Sequence, residues 1–287
     1  MGRVEGKVAL VTGAARGLGR SHAVRLAEEG ASIIAIDACK QVDTVPYPLA
    51  SGEDLAETGR LVEAEGGKVH TAVADVRDLD GLTEAVAAGV EALGGIDVVV
   101  ANAGISSYAP AWELTEEQWQ DLIDVNLTGV WKTIKATVPT LLEQGRGGSI
   151  ILISSVGGVA GMLNIAHYVA AKHGVTGLMR TLSAELAPFG IRVNTVHPTT
   201  AKTPLVENEA AKALVTANDP DATWDDAKAA LQLMNALPVP WVEPIDVSNA
   251  VLYLASDETR RVTGATHMVD AGATNVFKMP HDIAEPG

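Results

Sequence analysis

Lys7-Val-Ala-Leu-Val-Thr12-Gly13-Ala14-Ala15-Arg16-Gly17-Leu18-Gly19 leads into a helical stretch ending near Glu29, then into Ala31-Ser-Ile-Ile-Ala-Ile36 and Asp37. Read in order, it predicts strand, glycine turn, helix, strand, acid. The two apolar, β-branched runs are strands buried on both faces. Glycines between strand and helix let the backbone turn sharply and let a pyrophosphate rest against amides at the helix N-terminus. A carboxylate at the end of the second strand accepts both hydroxyls of an adenosine ribose and repels a 2′-phosphate. The spacing is Gly-x-x-x-Gly-x-Gly and not Gly-x-Gly-x-x-Gly, so the strand before the turn and the acid after it carry the reading.

Outward from this stretch the same rhythm continues. Residues 68–73, 96–101, 148–153, 191–196 and 265–270 read as further strands. Residues 53–65, 79–93, 165–188 and 244–256 read as helices, as does a segment beginning at Thr115, where Gln118 completes a capping box. No linker interrupts the alternation. The expectation is an α/β protein: one domain over 1–287, a single doubly wound parallel sheet of Rossmann type with helices on both faces. Two segments break the rhythm. Residues 38–52, with Pro46, Pro48 and Gly52, are long for a βα connection and read as a surface insertion or as a flap beside the adenosine end of a cofactor. Residues 199–241, with helical patches at 203–216 and 222–237, are a substrate-loop region.

Right-handed crossovers put all strand carboxyl ends on one edge. Gly13, Asp37, Asn102, Ser155 and Pro198 each follow a strand, so they are expected to gather there. Asp75 and Val76 follow the third strand, where a polar group meets an adenine edge. Asn102-Ala103-Gly104 gives a flat ligand access to the backbone. Asn126 is a mediocre helix-interior residue, either at the surface or bending its helix and holding water.

Composition removes several function classes. The chain has 287 residues, 47% hydrophobic and 20% charged, which suits a large globular core. A net charge of −15 argues against nucleic acid or an anionic membrane surface as partner. Cys39 is the sole cysteine, which excludes an internal disulfide and fits a reducing compartment. Met1 to Lys7 has no apolar signal core, and no apolar run reaches a membrane-spanning length. A cytoplasmic protein is expected. No histidine–carboxylate cluster has metal-ligand spacing, so no metal is expected.

Tyr168-Val-Ala-Ala-Lys172 puts a phenol and an ammonium on one helix face. A phenol has a reference pKa near ~10, and a fixed cation beside it is expected to lower that value. Such a pair is suited to general acid/base work near neutral pH.

In Thr12 to Gly19, Asp75, Asn102-Ala103-Gly104, Asn126, Ser155, Tyr168-x-x-x-Lys172 and Asn194-x-x-x-Pro198, the chain resembles the short-chain dehydrogenase/reductase family along nearly its full length. Ser155 lies thirteen residues before Tyr168, as the family pattern requires, which favours it over Ser154. The resemblance implies a catalytic tetrad of Asn126, Ser155, Tyr168 and Lys172. It implies NAD bound by Gly13, Arg16, Gly17, Leu18, Gly19, Asp37, Asp75, Val76, Asn102, Ala103, Gly104, Tyr168, Lys172 and Pro198, with Thr203 holding the nicotinamide carboxamide. Arg16 can also meet a 2′-phosphate, but Asp37 followed by Ala38 outweighs it. Thr199 departs from the family, many of whose members have glycine there. The family's chemistry is hydride transfer between a secondary alcohol and nicotinamide, with the tyrosine as acid/base, the serine holding the substrate oxygen and the asparagine holding a water. Its members are usually homotetramers.

The segment Asp37-Ala-Cys39 through Tyr47-Pro-Leu-Ala50 to Glu53-Asp54-Leu55, with Asp124-Val-Asn-Leu-Thr-Gly-Val-Trp131, resembles the actinobacterial carveol-dehydrogenase-like branch. That branch is associated with mycofactocin as electron acceptor and implies a slowly exchanging NAD held by the insertion. Met162, Leu163, Leu205, Met234 and Trp241 are apolar pocket candidates, which suits a small apolar alcohol such as a cyclic terpenoid. His167 and His197 read as structural. An NADPH-dependent 3-ketoacyl reductase and a non-catalytic NAD-binding regulator are the alternatives.

Overall fold

The computed structural model describes residues 2–275. Among the described residues the apolar runs become seven strands: β1 (Val8–Thr12), β2 (Ser32–Asp37), β3 (Val69–Val73), β4 (Val98–Ala101), β5 (Gly148–Ile153), β6 (Ile191–Pro198) and β7 (Thr266–Val269). They form one sheet in the order β3-β2-β1-β4-β5-β6-β7, with every neighbouring pair parallel. All of β1 and β4 is buried, which is why these strands are apolar on both faces and not alternating.

Successive side chains of a strand feed opposite layers. Val11, Ile33, Val100 and Ile151 pack against Leu26 of α1 (Gly17–Glu28), Leu55 and Val62 of α2 (Gly52–Ala64), and Val247, Val251 and Leu254 of α9 (Pro244–Ala255). Their neighbours Leu10, Ile34, Val99 and Ile150 pack on the other face. There they meet Leu82 and Val86 of α3 (Leu79–Leu93), Ile134 and Leu141 of α5 (Gly129–Gln144), and Val175 and Met179 of α6 (Ala166–Glu185). Fully burying each such side chain stabilises the fold by roughly 1.5–3 kcal/mol, and truncating one to alanine costs about 2–5 kcal/mol. The chain runs outward from β1 to β3, then returns to place β4 on the other side of β1. The strand order therefore reverses between β1 and β4, and the carboxyl ends of these two strands open a crevice.

Local differences from the sequence reading have physical causes. Ser51 accepts from the Asp54 amide and the Asp54 carboxylate accepts from the Ser51 amide, so α2 begins at Gly52, one residue early. The helix from Thr115 is unbroken to Gln144 but not α-helical throughout. It comprises α4 (Glu116–Ile123) and then a π-helical turn, Asp124–Thr128, before α5. The insertion 38–52 lies mostly at the surface but is anchored from within: Val42, Val45 and Tyr47 are buried against Val76, Ile105 and Val125. The loop 199–241 carries two short helices, α7 (Glu209–Val215) and α8 (Trp224–Gln232). Among the described residues no helix is long and apolar enough to cross a membrane.

Candidate active site

A cavity of about 690 Å³ runs along the carboxyl ends of the strands. In sheet order its wall carries Asp75 and Val76 after β3, Asp37 at the end of β2, and Gly13, Arg16, Gly17 and Leu18 after β1. Asn102, Ala103 and Gly104 follow β4, Ser155 follows β5, Tyr168 and Lys172 come from α6, and Pro198 and Thr203 end the series after β6. Two expected site residues, Gly19 and Asn126, do not line it.

The glycine turn is built for close approach. Gly13 has φ +65°, and a Cβ there would lie 2.8 Å from the Ala103 Cα. A Cβ on Gly19 would lie 1.9 Å from the Gly13 carbonyl oxygen, so Gly19 seats α1 against the turn and does not face the cavity. Thr12 Oγ1 accepts from the amides of Asn102 (3.1 Å) and Ala103 (3.2 Å), and Asn102 Nδ2 donates back to the Thr12 carbonyl (3.0 Å). These bonds lock the ends of β1 and β4 together. Helices α2, α4 and α8 each have a capping box, whereas α1 has neither a side-chain cap nor an acid in its first turn. Its first-turn amides are open to an anion.

At the β2 end, Asp37 accepts from the amides of Ala15 and Cys39, both at 3.0 Å, which fixes the carboxylate in the cavity wall. Arg16, expected among the cofactor-binding residues, lines the cavity, and its Nη2 donates to the Pro48 carbonyl at 2.6 Å, clasping segment 38–51. Burial pushes the Asp75 carboxyl up, but the hydrogen bonds and charge of Arg77 outweigh it and hold the group below the ordinary range. Arg77 also pairs with Asp121, which accepts from Thr44 of the insertion. The insertion is thus tied down at both ends of this wall.

At the β5 end, Ser155 caps a short turn, Val156–Gly158, and its Oγ accepts from the Gly157 amide at 3.0 Å. That leaves the serine proton for another acceptor. Lys172 is buried, donates from Nζ to the Ile153 carbonyl (2.8 Å), and sits 5.5 Å from the centroid of the Tyr168 ring. Burial pushes the Tyr168 phenol up to about 12; the Ser155 hydroxyl draws it partly back and Tyr108 raises it further. Burial also pushes the Lys172 ammonium down to about 8. The expectation that Lys172 lowers the tyrosine is therefore corrected for the protein's own groups. Taking both charges out of water is the larger effect, and the ammonium bonds a carbonyl instead of the phenol oxygen.

Asn126 is fully buried. Its Oδ1 accepts from the Ile105 amide and its Nδ2 donates to the Ile105 carbonyl, both at 2.9 Å. Of the two expected roles the surface one is excluded: Asn126 sits in the π-helical turn that interrupts the α-helix, and its amide clasps that turn to the loop after β4. His167 meets Ser107 through Nε2, and His197 bonds Ser155 and Thr195, so neither ring faces the cavity. Thr199 Oγ1 donates to Asn235 Oδ1 (3.1 Å), giving the residue at the glycine position a role in holding the 199–241 loop. Among the described residues no group of three or more His, Cys, Asp or Glu is arranged to hold a metal.

The sequence reading gave Tyr47 no role in the site, and expected residues 106–112, Tyr108 among them, to line the pocket, which Tyr108 does. Tyr47 Oη accepts from the Ser106 amide (3.1 Å), and Tyr108 Oη donates to the Leu205 carbonyl (3.2 Å). Tyr47 is the insertion's one aromatic residue, and that was the available signal. Met162, Leu163, Leu205 and Met234 line the cavity as expected, joined by Leu214 and Leu231 from the loop helices. Trp241 does not line it; its ring stacks under Lys202, 5.7 Å away.

Comparison with known proteins agrees with this architecture. A family model described as short chain dehydrogenase matches residues 7–214. The (-)-trans-carveol dehydrogenase of Rhodococcus erythropolis is 50% identical over 275 residues, 96% of this chain and 99% of that one. The crystal structure of carveol dehydrogenase from Mycobacterium avium in complex with NAD superposes with a TM-score of 0.93 at 53% identity, covering 95% of this chain and 99% of that one. A short chain dehydrogenase from Mycobacterium paratuberculosis bound to NAD gives 0.88 at 45% identity, covering 96% and 100%.

Proposed function

The chain belongs to the short-chain dehydrogenase family, and on that premise we propose that it is an NAD-dependent enzyme interconverting a small apolar secondary alcohol, of terpenoid type, with its ketone. The observation that carries this is the single cavity joining Asp37 and the open N-terminus of α1 to Ser155, Tyr168 and an apolar wall. The carveol dehydrogenases among its relatives support the substrate class.

The residues fit the cofactor. Asp37 would hold the adenosine ribose and disfavour a 2′-phosphate, the glycine turn leaves room for a pyrophosphate, and Thr203 would hold the nicotinamide end. NAD, when bound, supplies the hydride acceptor and a positive charge near the phenol. Tyr168 takes the hydroxyl proton in oxidation and returns it in reduction. A phenol at about 12 is a poor base source near neutrality, so the cationic surroundings must draw it down by several units, at about 1.4 kcal/mol each. Lys172 contributes its ammonium to that. Ser155, its Oγ already accepting from Gly157, directs its proton to the substrate oxygen and stabilises charge developing there. Asn126 positions the loop after β4.

Residues 1–287 act as one dehydrogenase domain, with 38–52 covering the adenosine end and 199–241 enclosing the substrate. The clasps from Arg16 to Pro48 and from Ser106 to Tyr47 support slow NAD exchange. We take mycofactocin as the electron acceptor and a cytoplasmic homotetramer as the working form, both on the sequence resemblance alone. Washed protein is denatured and the supernatant assayed for NAD, and the intact protein is offered an alcohol panel with an artificial dye acceptor. Released NAD with oxidation of cyclic secondary alcohols is expected. NADP preference, or bound NAD without turnover of any alcohol, would overturn the proposal.

A further inference from the structure

Ser155 must present its hydroxyl in one direction, yet it lies just where β5 leaves the sheet. The last ladder bond joining β5 to β6 runs from the Ser154 amide to the Val196 carbonyl at 2.8 Å. Pro198 has no N–H with which to extend the ladder. Ser155 itself is extended, with φ −169° and ψ 167°. The Ser155 carbonyl accepts from the Gly158 amide at 2.8 Å within the short turn, and a side chain from β6 adds a second bond across the end of the sheet: His197 Nδ1 lies 2.7 Å from the same carbonyl.

We infer that His197 is a positioning residue for the reaction, acting through the main chain of Ser155 to aim the serine hydroxyl. The chemistry of the bond fixes its direction. A carbonyl only accepts, so Nδ1 carries the proton. Nε2 then accepts from Thr195 Oγ1, 2.8 Å away. The ring is fully buried with both nitrogens satisfied, and it touches neither the cavity nor the phenol. Burial, with Lys172 and His173 adding to it against the Ser155 carbonyl, brings its pKa down to about 4, so the ring stays neutral and the bond keeps its direction through the working range. The inference rests on the proposed role of Ser155 as holder of the substrate oxygen.

Asparagine places an amide N–H where Nδ1 stands, whereas glutamine reaches the position of Nε2. The NAD-loaded enzyme is therefore compared with His197→Asn, His197→Gln and His197→Leu, using carveol as the alcohol. Initial rates, NAD content and urea midpoints are measured for each. His197→Asn is expected to stay within about threefold of wild type in kcat, since the donor to Ser155 survives. His197→Gln and His197→Leu are expected to lose about 10- to 100-fold in kcat, as a small misplacement of a positioning group does, with KM and NAD content unchanged. Equal losses for the asparagine and glutamine variants would overturn the assignment. So would wild-type turnover by His197→Leu, or losses in all three that follow only from unfolding. Ser155→Ala separates the two levels: if it keeps full activity, the role of Ser155 falls; if it is inactive while His197→Leu is not, only the role of His197 falls.

Discussion

Lys172→Met tests the electrostatics of the site through stability. Burial takes the Lys172 ammonium from its ordinary 10.5 to about 8, a displacement of roughly 2.5 units that corresponds to about 3 kcal/mol against the charged form. The sign follows from proton counting. Between about pH 8 and 10.5 the unfolded chain holds this proton and the folded protein does not, so stability rises with pH across that window. Below it both states are protonated and the native state carries the whole penalty; above it both are neutral and the penalty is gone. Methionine has a similar length and no charge. It also leaves the Ile153 carbonyl without its donor, an offset of about 1 kcal/mol. In nucleotide-free protein at about pH 7, Lys172→Met is therefore expected to be more stable than wild type by roughly 2 kcal/mol, while losing turnover. The assay is urea unfolding of both proteins from neutral to strongly alkaline pH. The wild-type deficit should shrink and then reverse as pH passes through the window. A difference that stays flat across it, or a methionine variant less stable at neutral pH, would refute the reasoning.

Other perturbations follow from the same contacts. Arg16→Ala removes the bond to the Pro48 carbonyl, a partly exposed charge-assisted contact of about 1 kcal/mol, and should speed NAD release about fivefold in a chase with excess nucleotide. Asn126→Ala leaves the buried amide and carbonyl of Ile105 unpaired and should cost about 2–4 kcal/mol in urea unfolding, with kcat reduced as the loop after β4 loosens. Met234→Ala opens the apolar wall of the cavity and should shift kcat/KM by about tenfold toward bulkier secondary alcohols over small ones, read from a matched substrate pair.

Much of this architecture is legible in the chain because it depends on local pattern. The first βαβ unit announces itself through two apolar runs, three glycines and an acid, and each lands in the expected element. Gly13, Asp37, Asn102, Ser155 and Pro198 come together because parallel strands put their carboxyl ends on one edge, a consequence of handedness more than of any side chain. What escaped the reading depends on distance in space. Nothing local says that Arg16 reaches Pro48, that Asn126 clasps Ile105, or that Ser106 donates to Tyr47, since each pairs residues from different connections. The balance at Tyr168 was misjudged for the same reason. A sequence places the ammonium on the same helix face as the phenol, but how far each group is withdrawn from water is a property of the packed site.

The central claim, that Tyr168 takes the proton as hydride passes from a secondary alcohol carbon to NAD, is tested most directly by a single turnover. Enzyme carrying NAD is mixed with carveol bearing hydrogen or deuterium on the carbinol carbon, and the absorbance of reduced nicotinamide is followed. Wild type should form it in one phase that is slower with deuterium, and Tyr168→Phe, with the same NAD content, should form almost none. Reduction proceeding at the wild-type rate in Tyr168→Phe would contradict the account.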